Sequence, residues 1–154
     1  MMSATTFRIA TLNDLPVLKK FEQGIVEAER PYNPTLKSGN ISYYDLAQLI
    51  QSDEAEVFVG ELDGQIICSG YVKIKTAKTF LQYDRYAYLG FMYVLPDYRG
   101  RGINQLLTQE LLNWAKARNL SEFRLTVYDD NLPAVRAYEK VGFEKLITEM
   151  RLEI

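Results

Sequence analysis

Apolar and polar residues follow two rhythms along this chain, and the changes between them divide it into short elements. "TFRIAT", Thr6 to Thr11, reads as a strand. The helix after it, "NDLPVLKKFEQGIVEAER", repeats Leu15, Leu18, Phe21, Ile25 and Val26 at spacings that fall on one face. Asn13 or Asp14 opens that helix, and Pro16 sits in its first turn. "PYNPTLKSGN", Pro31 to Asn40, breaks both rhythms with prolines, asparagines and a glycine, and predicts a surface loop. A second helix is expected from Ser42 to near Ser52, with Ser42 and Asp45 forming a capping box.

"EVFVGELDGQIICSGYVKIKT" alternates with a period of two on either side of Asp63-Gly64, the composition of a tight hairpin turn. "YAYLGFMYV", Tyr86 to Val94, is apolar at both parities, which places it mid-sheet and covered on both faces. A helix from about Gly102 to Asn119 follows, striped by Ile103, Leu106, Leu107, Leu111, Trp114 and Ala115, and then the strand "EFRLTVY". Strand, loop, helix, strand is a crossover, so those two strands should run parallel with a right-handed connection. "LPAVRAYEKVG" is a short helix stopped by Gly142, and "FEKLITEMRLEI" is expected to return as a final strand. With 154 residues and no repeat or linker, one domain spanning 1–154 is expected.

Charge changes this picture little. Lys and Arg total 18 against 20 Asp and Glu, so no positive excess suggests a nucleic-acid or membrane-surface partner. The longest apolar stretch, "YLGFMYVLP", is far shorter than the roughly 20 residues of a membrane-spanning helix. A lone Cys68 and the absence of a secretory leader in "MMSATTFRIA" point to a reducing, cytoplasmic setting. Cys68 itself, on an alternating strand between Ile67 and Ser69, reads as a packing residue rather than a nucleophile.

The absence of histidine narrows the chemistry further. Serine-histidine triads and histidine-bearing metal sites are excluded, and no metal is expected. Proton transfer falls to the eleven tyrosines, carboxylates, Lys, Cys or water.

The segment "LPDYRGRGINQLL", Leu95 to Leu107, stands out against this background. A helix start presents unpaired N–H groups and a partial positive charge, and glycines at 100 and 102 would let an anion approach the backbone. Arg99 and Arg101 add charge at the rim. The same residues equally suit a bare strand-to-helix turn with solvated arginines. A nucleoside-triphosphate loop would need Gly-Lys-Ser or Gly-Lys-Thr where Gly102-Ile103-Asn104 stands, and a dinucleotide fingerprint would need glycine at Gln105.

On Arg99-Gly100-Arg101-Gly102-Ile103-Asn104, and on Asn131, Tyr138, Gly142 and Phe143 within "DDNLPAVRAYEKVGFEK", the chain resembles the GCN5-related N-acetyltransferase family. The first group matches its acetyl-coenzyme A signature except at Asn104, where a small residue is usual. The resemblance implies a mixed α/β fold: a central, mostly antiparallel sheet with one splayed parallel pair and helices on both faces. It implies direct transfer of an acetyl group from acetyl-coenzyme A to a primary amine of a small molecule or peptide. Met92, Tyr93 and Val94 would offer main-chain bonds to the acetyl and pantetheine groups. Arg99, Gly100, Arg101, Gly102, Ile103 and Asn104 would wrap the pyrophosphate, and Asn131 would bond the pantetheine arm. Asn131 also reads as a helix cap, and homodimers are common in the family.

Tyr138 is the general acid that the resemblance implies, and its alternative is a helix-face tyrosine filling the core. The family's glutamates on the neighbouring strands are missing, since Gly90, Phe91 and Thr126 occupy those positions. The base is therefore open among Glu27, Glu29 and Asp84. Tyr32, Tyr43, Tyr44, Tyr83 and Tyr86 either line an acceptor pocket or are ordinary half-buried aromatics. Two other readings stand beside the enzyme: a coenzyme A binding or sensing module without turnover, and a protein N-terminal acetyltransferase.

Overall fold

The long hairpin that centres the fold follows from Asp63 and Gly64, whose φ values of 51° and 79° give the doubly left-handed turn that suits the twist of two strands. In this computed structural model, which describes residues 4–154, that turn joins β2 (Ala55–Leu62) to β3 (Gln65–Thr76). β1 (Thr6–Ile9) lies outside β2, and β4 (Arg85–Val94) pairs antiparallel with β3. β5 (Phe123–Arg124) completes a five-stranded sheet in the order β1-β2-β3-β4-β5, and among the described residues β4 and β5 are the one parallel pair. The mixed sheet expected from the crossover is present.

The period-two alternation sends residues to two cores. Val57, Val59 and Tyr71 pack under α1 (Leu15–Glu29) and α2 (Leu46–Gln51) through Leu18, Phe21, Leu46 and Leu49. Phe58, Val72, Ala87 and Leu89 pack on the opposite face under α3 (Ile103–Lys116) through Leu107, Leu111 and Trp114. α4 (Leu132–Val141) follows β5, capped by Asn131, whose side-chain oxygen accepts from the Ala134 N–H at 3.4 Å.

Three expectations need correction. The second helix does not start at Ser42. Both Tyr43 and Tyr44 N–H groups donate to the buried Glu22 carboxylate at 2.9 Å, which holds this stretch extended, and Asp45 caps α2 instead through a bond from Gln48 N–H. The third helix stops at Lys116, because the chain turns through a left-handed Asn119 and Leu120 N–H returns to the Ala115 carbonyl at 3.1 Å. The final strand is not formed: every residue from Glu144 to Ile154 is exposed and none pairs with the sheet. Alternation supplies a strand with two different faces, but a strand also needs an edge to bond, and this segment meets none within its own chain.

Candidate active site

β4 and β5 are bonded only at Ala87 with Phe123 and Tyr88 with Arg124. Beyond that point they part, so among the described residues β4 has no strand partner on its β5 side from Leu89 to Val94. Tyr88 Oη donates to Thr126 Oγ1 at 2.8 Å beside the closed end of this gap.

A bulge lies on the open side. Tyr71 pairs with Gly90 and Ser69 with Tyr93, so Gly70 faces both Phe91 and Met92. Phe91 takes a φ of 57°, rare for a large residue, and its carbonyl accepts from the buried Ser69 hydroxyl at 3.2 Å. The extra residue reverses the alternation. Leu89 faces the α3 core, and Phe91 faces the α1 core instead of following it. No sequence signal marks such a bulge at a phenylalanine.

Past β4 the chain makes one helical turn, Pro96–Tyr98, and enters α3 through Gly100 and Gly102, both at φ 77°. Side chains rarely adopt that backbone, which is why glycine stands at both positions. A Cβ at either would meet nothing within 4 Å, so the turn is open on that side. No side chain caps α3, and Leu106 is the first of its residues to return an N–H, to the Gly102 carbonyl at 3.3 Å. The amides ahead of it thus have no partner within the helix, an arrangement that suits an anion.

The two arginines brace the turn rather than reach from it. Arg99 Nε donates to the Val94 carbonyl at 2.8 Å with its guanidinium over the Tyr93 ring, and Arg101 donates to the Asp97 carbonyl at 3.1 Å. Their charge still lies beside the free amides. The Val94 carbonyl thus already carries one bond, from Arg99.

Tyr138 comes to this turn from α4. Its hydroxyl is pushed up to about 12, chiefly by burial, with the Asn104 side chain opposing the shift through a hydrogen-bonding contact and the Glu29 charge adding to it. Asn104, Tyr138 and Glu29 therefore converge although they belong to α3, α4 and α1. Burial also raises Glu29, and its charge reaches Tyr43 and Tyr44 as well. The Tyr43 hydroxyl is buried with no hydrogen bond of ordinary geometry and is itself pushed up to about 12.

The other candidate bases are placed differently. Glu27 is exposed and paired with Arg30 at 2.9 Å, and Asp84 lies exposed in the loop before β4. The loop after α1 is held in place by Arg30, which donates to the Lys37 carbonyl, and by Asn33, whose Nδ2 donates to Tyr128 Oη at 2.7 Å. Tyr128 stacks on Tyr32 with ring centroids 6.3 Å apart and acts on Tyr43. Tyr128 was not marked by any pattern in the sequence. Tyr83 and Tyr86 instead surround Arg124 at the closed end of the gap, and Tyr44 packs into the core against Tyr71 and Phe91.

Cys68 is fully buried, and burial pushes its thiol up to about 11, as suits a packing residue. Among the described residues no group of His, Cys, Asp and Glu could hold a metal ion, and no helix is long and apolar enough to cross a membrane.

Comparison with known proteins adds to this geometry. The model of the acetyltransferase (GNAT) family matches residues 23–143. An N-alpha-acetyltransferase of Sulfurisphaera tokodaii is 29% identical over 115 residues, covering 70% of this chain and 67% of that protein. A mycothiol acetyltransferase of Rhodococcus opacus is 37% identical over 65 residues, covering 40% of this chain and 21% of the relative's length. The matched part is thus about a fifth of that relative. The structure of a predicted acetyltransferase with acetyl-CoA from Clostridium acetobutylicum has a TM-score of 0.71 at 21% identity, covering 97% of this chain and 96% of the other, a likeness of fold.

Proposed function

Because the chain belongs to the acetyltransferase (GNAT) family, we propose that it transfers the acetyl group of acetyl-coenzyme A directly to a primary amine of a small molecule or peptide. The observation that carries this reading is the turn into α3, where two glycines at φ 77° open an uncapped helix start beside the unpaired side of β4. The open face of Gly100 and Gly102 and the free amides at the start of α3 fit a diphosphate. The unpaired side of β4 from Leu89 to Val94 fits an amide-bearing arm, with Asn131 at the other wall of the gap.

Acetyl-coenzyme A supplies the acyl group as an activated thioester. A lysine-like amine with a pKa of about 10.4 is mostly protonated at neutral pH, and freeing its lone pair costs roughly 4 to 5 kcal/mol. Glu29 is the base: among Glu27, Glu29 and Asp84 it alone is half-buried and acts on Tyr138. It accepts the proton as the amine nitrogen bonds the acyl carbon. Main-chain N–H at Met92, beside the bulge, supports the oxyanion. Tyr138 stays protonated at working pH and donates to the departing sulfur. Against a thiol near 8.5 a complete transfer from a phenol at about 12 is uphill by roughly 5 kcal/mol, so the phenol acts as a hydrogen-bond donor while the thiolate forms. Tyr32, Tyr43 and Tyr128 form the aromatic wall on the acceptor side.

One observation favours a second reading, a coenzyme A sensing module. The β4 positions where the family's glutamate would stand hold Gly90 and Phe91, neither of which can titrate, and the Tyr71 ring fills the space beside Gly90. Thiol release from acetyl-coenzyme A, followed across small amines and peptides with free N-termini, separates the two. Saturable release with an acceptor, and its loss in Tyr138→Phe, is the expected result. Tight binding without release across the whole panel would favour the sensor.

A further inference from the structure

We propose that the amine acceptor carries an anionic group, held roughly 10 Å from its nitrogen by Lys73, Lys75 and Arg124 on the α1 side of the sheet. The inference rests on the acetyl-transfer reading above and names the class of its acceptor. Strand register puts the three cations on one face. Lys73 stands opposite Tyr88, Tyr88 opposite Arg124, and Lys75 opposite Tyr86, and such cross-strand partners project to the same side. That side is the one on which Tyr71 and Tyr88 meet the α1 core. Rings brace the charges: Lys75 Nζ lies 4.0 Å from the Tyr88 centroid and Lys73 Nζ 5.5 Å from that of Tyr71, while the Arg124 guanidinium lies 5.7 and 5.5 Å from Tyr83 and Tyr86.

Charge on this face does not balance. Among the described residues Glu122, 3.3 Å from Arg124, is the one carboxylate paired with any of the three, and Glu54 pairs with Arg85 instead. Lys73 and Lys75 form no ion pair among those residues. Both lysines and Arg124 are half-buried, so water screens them less than it screens free surface cations. Burial lowers the Lys75 pKa, and the Lys73 charge lowers it further. A bound anion relieves two neighbouring cations that are partly desolvated and lack a counter-charge. The diphosphate is not that anion: the glycine turn follows Val94, about 20 Å along β4 from Tyr88.

The amine end lies along the same side. Beyond Arg124 the chain passes Thr126, which accepts from Tyr88 Oη at 2.8 Å, and reaches Tyr128, which accepts from Asn33 and acts on Tyr43. Glu29, the proposed base, acts on Tyr43 and Tyr44, and Tyr44 packs on Tyr71 next to Lys73. The backbone from Arg124 to Tyr128 spans at most about 13 Å. An acceptor with its nitrogen at Glu29 and Tyr43 therefore reaches the three cations with a group roughly 10 Å away.

NMR titration of the protein saturated with coenzyme A, which has no acetyl group to transfer, reads acceptor binding without turnover. The probes are ω-aminoheptanoate, the matching aminoalkyl phosphonate and the neutral ω-aminoheptanamide, each spanning roughly 10 Å. At least one anionic probe is expected to bind about tenfold more tightly than the neutral one, shifting the backbone signals of Lys73, Lys75 and Arg124. Whichever of the two binds better identifies the group as carboxylate or phosphate-like. In Lys75→Gln/Arg124→Gln the preference should vanish, and Lys75→Arg should keep it. Equal affinity for charged and neutral probes in the native protein overturns the proposal, as do shifts that avoid the three residues or no binding of any probe at millimolar concentration. Those comparisons need no variant to fold. Coenzyme A affinity, measured on the same sample, tests the acetyl-transfer reading separately. Its absence would sink that reading and leave the charge preference to be read on the free protein, whereas a missing preference beside intact coenzyme A binding sinks only the anionic acceptor.

Discussion

The ring of Tyr71 occupies the space that a side chain at Gly90 would need: a Cβ there would lie 2.5 Å from Tyr71 Oη and 2.8 Å from Cε2. Tyr71 is 4% exposed and boxed by Tyr44 at 5.5 Å between ring centroids, so it cannot swing aside. Position 90 and position 71 are one packing unit, in which the Tyr71 ring fills the room that a side chain at 90 would take. Gly90→Ala is therefore expected to destabilise the fold by about 1–3 kcal/mol through overpacking. Urea unfolding measures this, and the penalty should shrink in a Tyr71→Ala background, because the two changes share one cavity.

For the proposed acid, Tyr138→Phe should lower kcat by on the order of a hundredfold with little change in the KM for acetyl-coenzyme A. Asn104→Ala should act in the same direction more weakly, because the amide that opposes the upward shift of the phenol is lost. Steady-state kinetics on both variants checks the pair. Equal effects on KM and none on kcat would assign Asn104 and Tyr138 to cofactor binding alone.

Glu29 gives a signed pH dependence. Burial raises its pKa, so the carboxylate form required of a base is lost at a higher pH than for an ordinary glutamate near 4.3. The acid limb of kcat/KM should therefore lie above that range, with activity rising as pH climbs through it. In Glu29→Gln that limb should vanish and activity at neutral pH should drop by about a hundredfold. A later rise toward the pKa of the amine would be common to both proteins.

Gly102→Ala tests the turn. At φ 77° an alanine pays a conformational cost of about 1 kcal/mol, and its methyl group enters the open side where the anion would approach. Acetyl-coenzyme A affinity, measured by calorimetry, should fall at least tenfold while the thermal midpoint drops by only about 2–4 °C. Unchanged affinity would move the diphosphate away from this turn.

Arg8 and Asp14 set the acid side of stability. Arg8 binds the Asp14 carboxylate through two bonds of 2.8 and 2.9 Å, and Thr11 N–H adds a third, so the Asp14 pKa is lowered by the Arg8 bond first. A depressed carboxylate contributes stability above the unfolded value near 3.9 and loses it as pH falls through the folded one. The difference in unfolding midpoint between the native protein and Asp14→Asn should be largest at neutral pH and shrink progressively below about pH 4.

The sequence by itself determined the local elements and one of the two halves of the site. Asp63-Gly64 specified its hairpin, the helical stripes of α1 and α3 specified their buried faces, and the glycines at 100 and 102 marked the turn, because each of these depends on neighbours within a few residues. Tertiary structure decided what depends on distant partners. Glu22 took the amides that would have started a helix at Ser42, and the Phe91 bulge reversed a face that period-two counting would have extended. Only the fold half-buries Glu29 at the end of α1 while leaving Glu27 and Asp84 exposed, and only the fold brings Tyr138 of α4 toward the start of α3. Alternation in 144–154 was legible as a strand, yet pairing belongs to the edge that receives it, and no stretch of sequence contains its own edge.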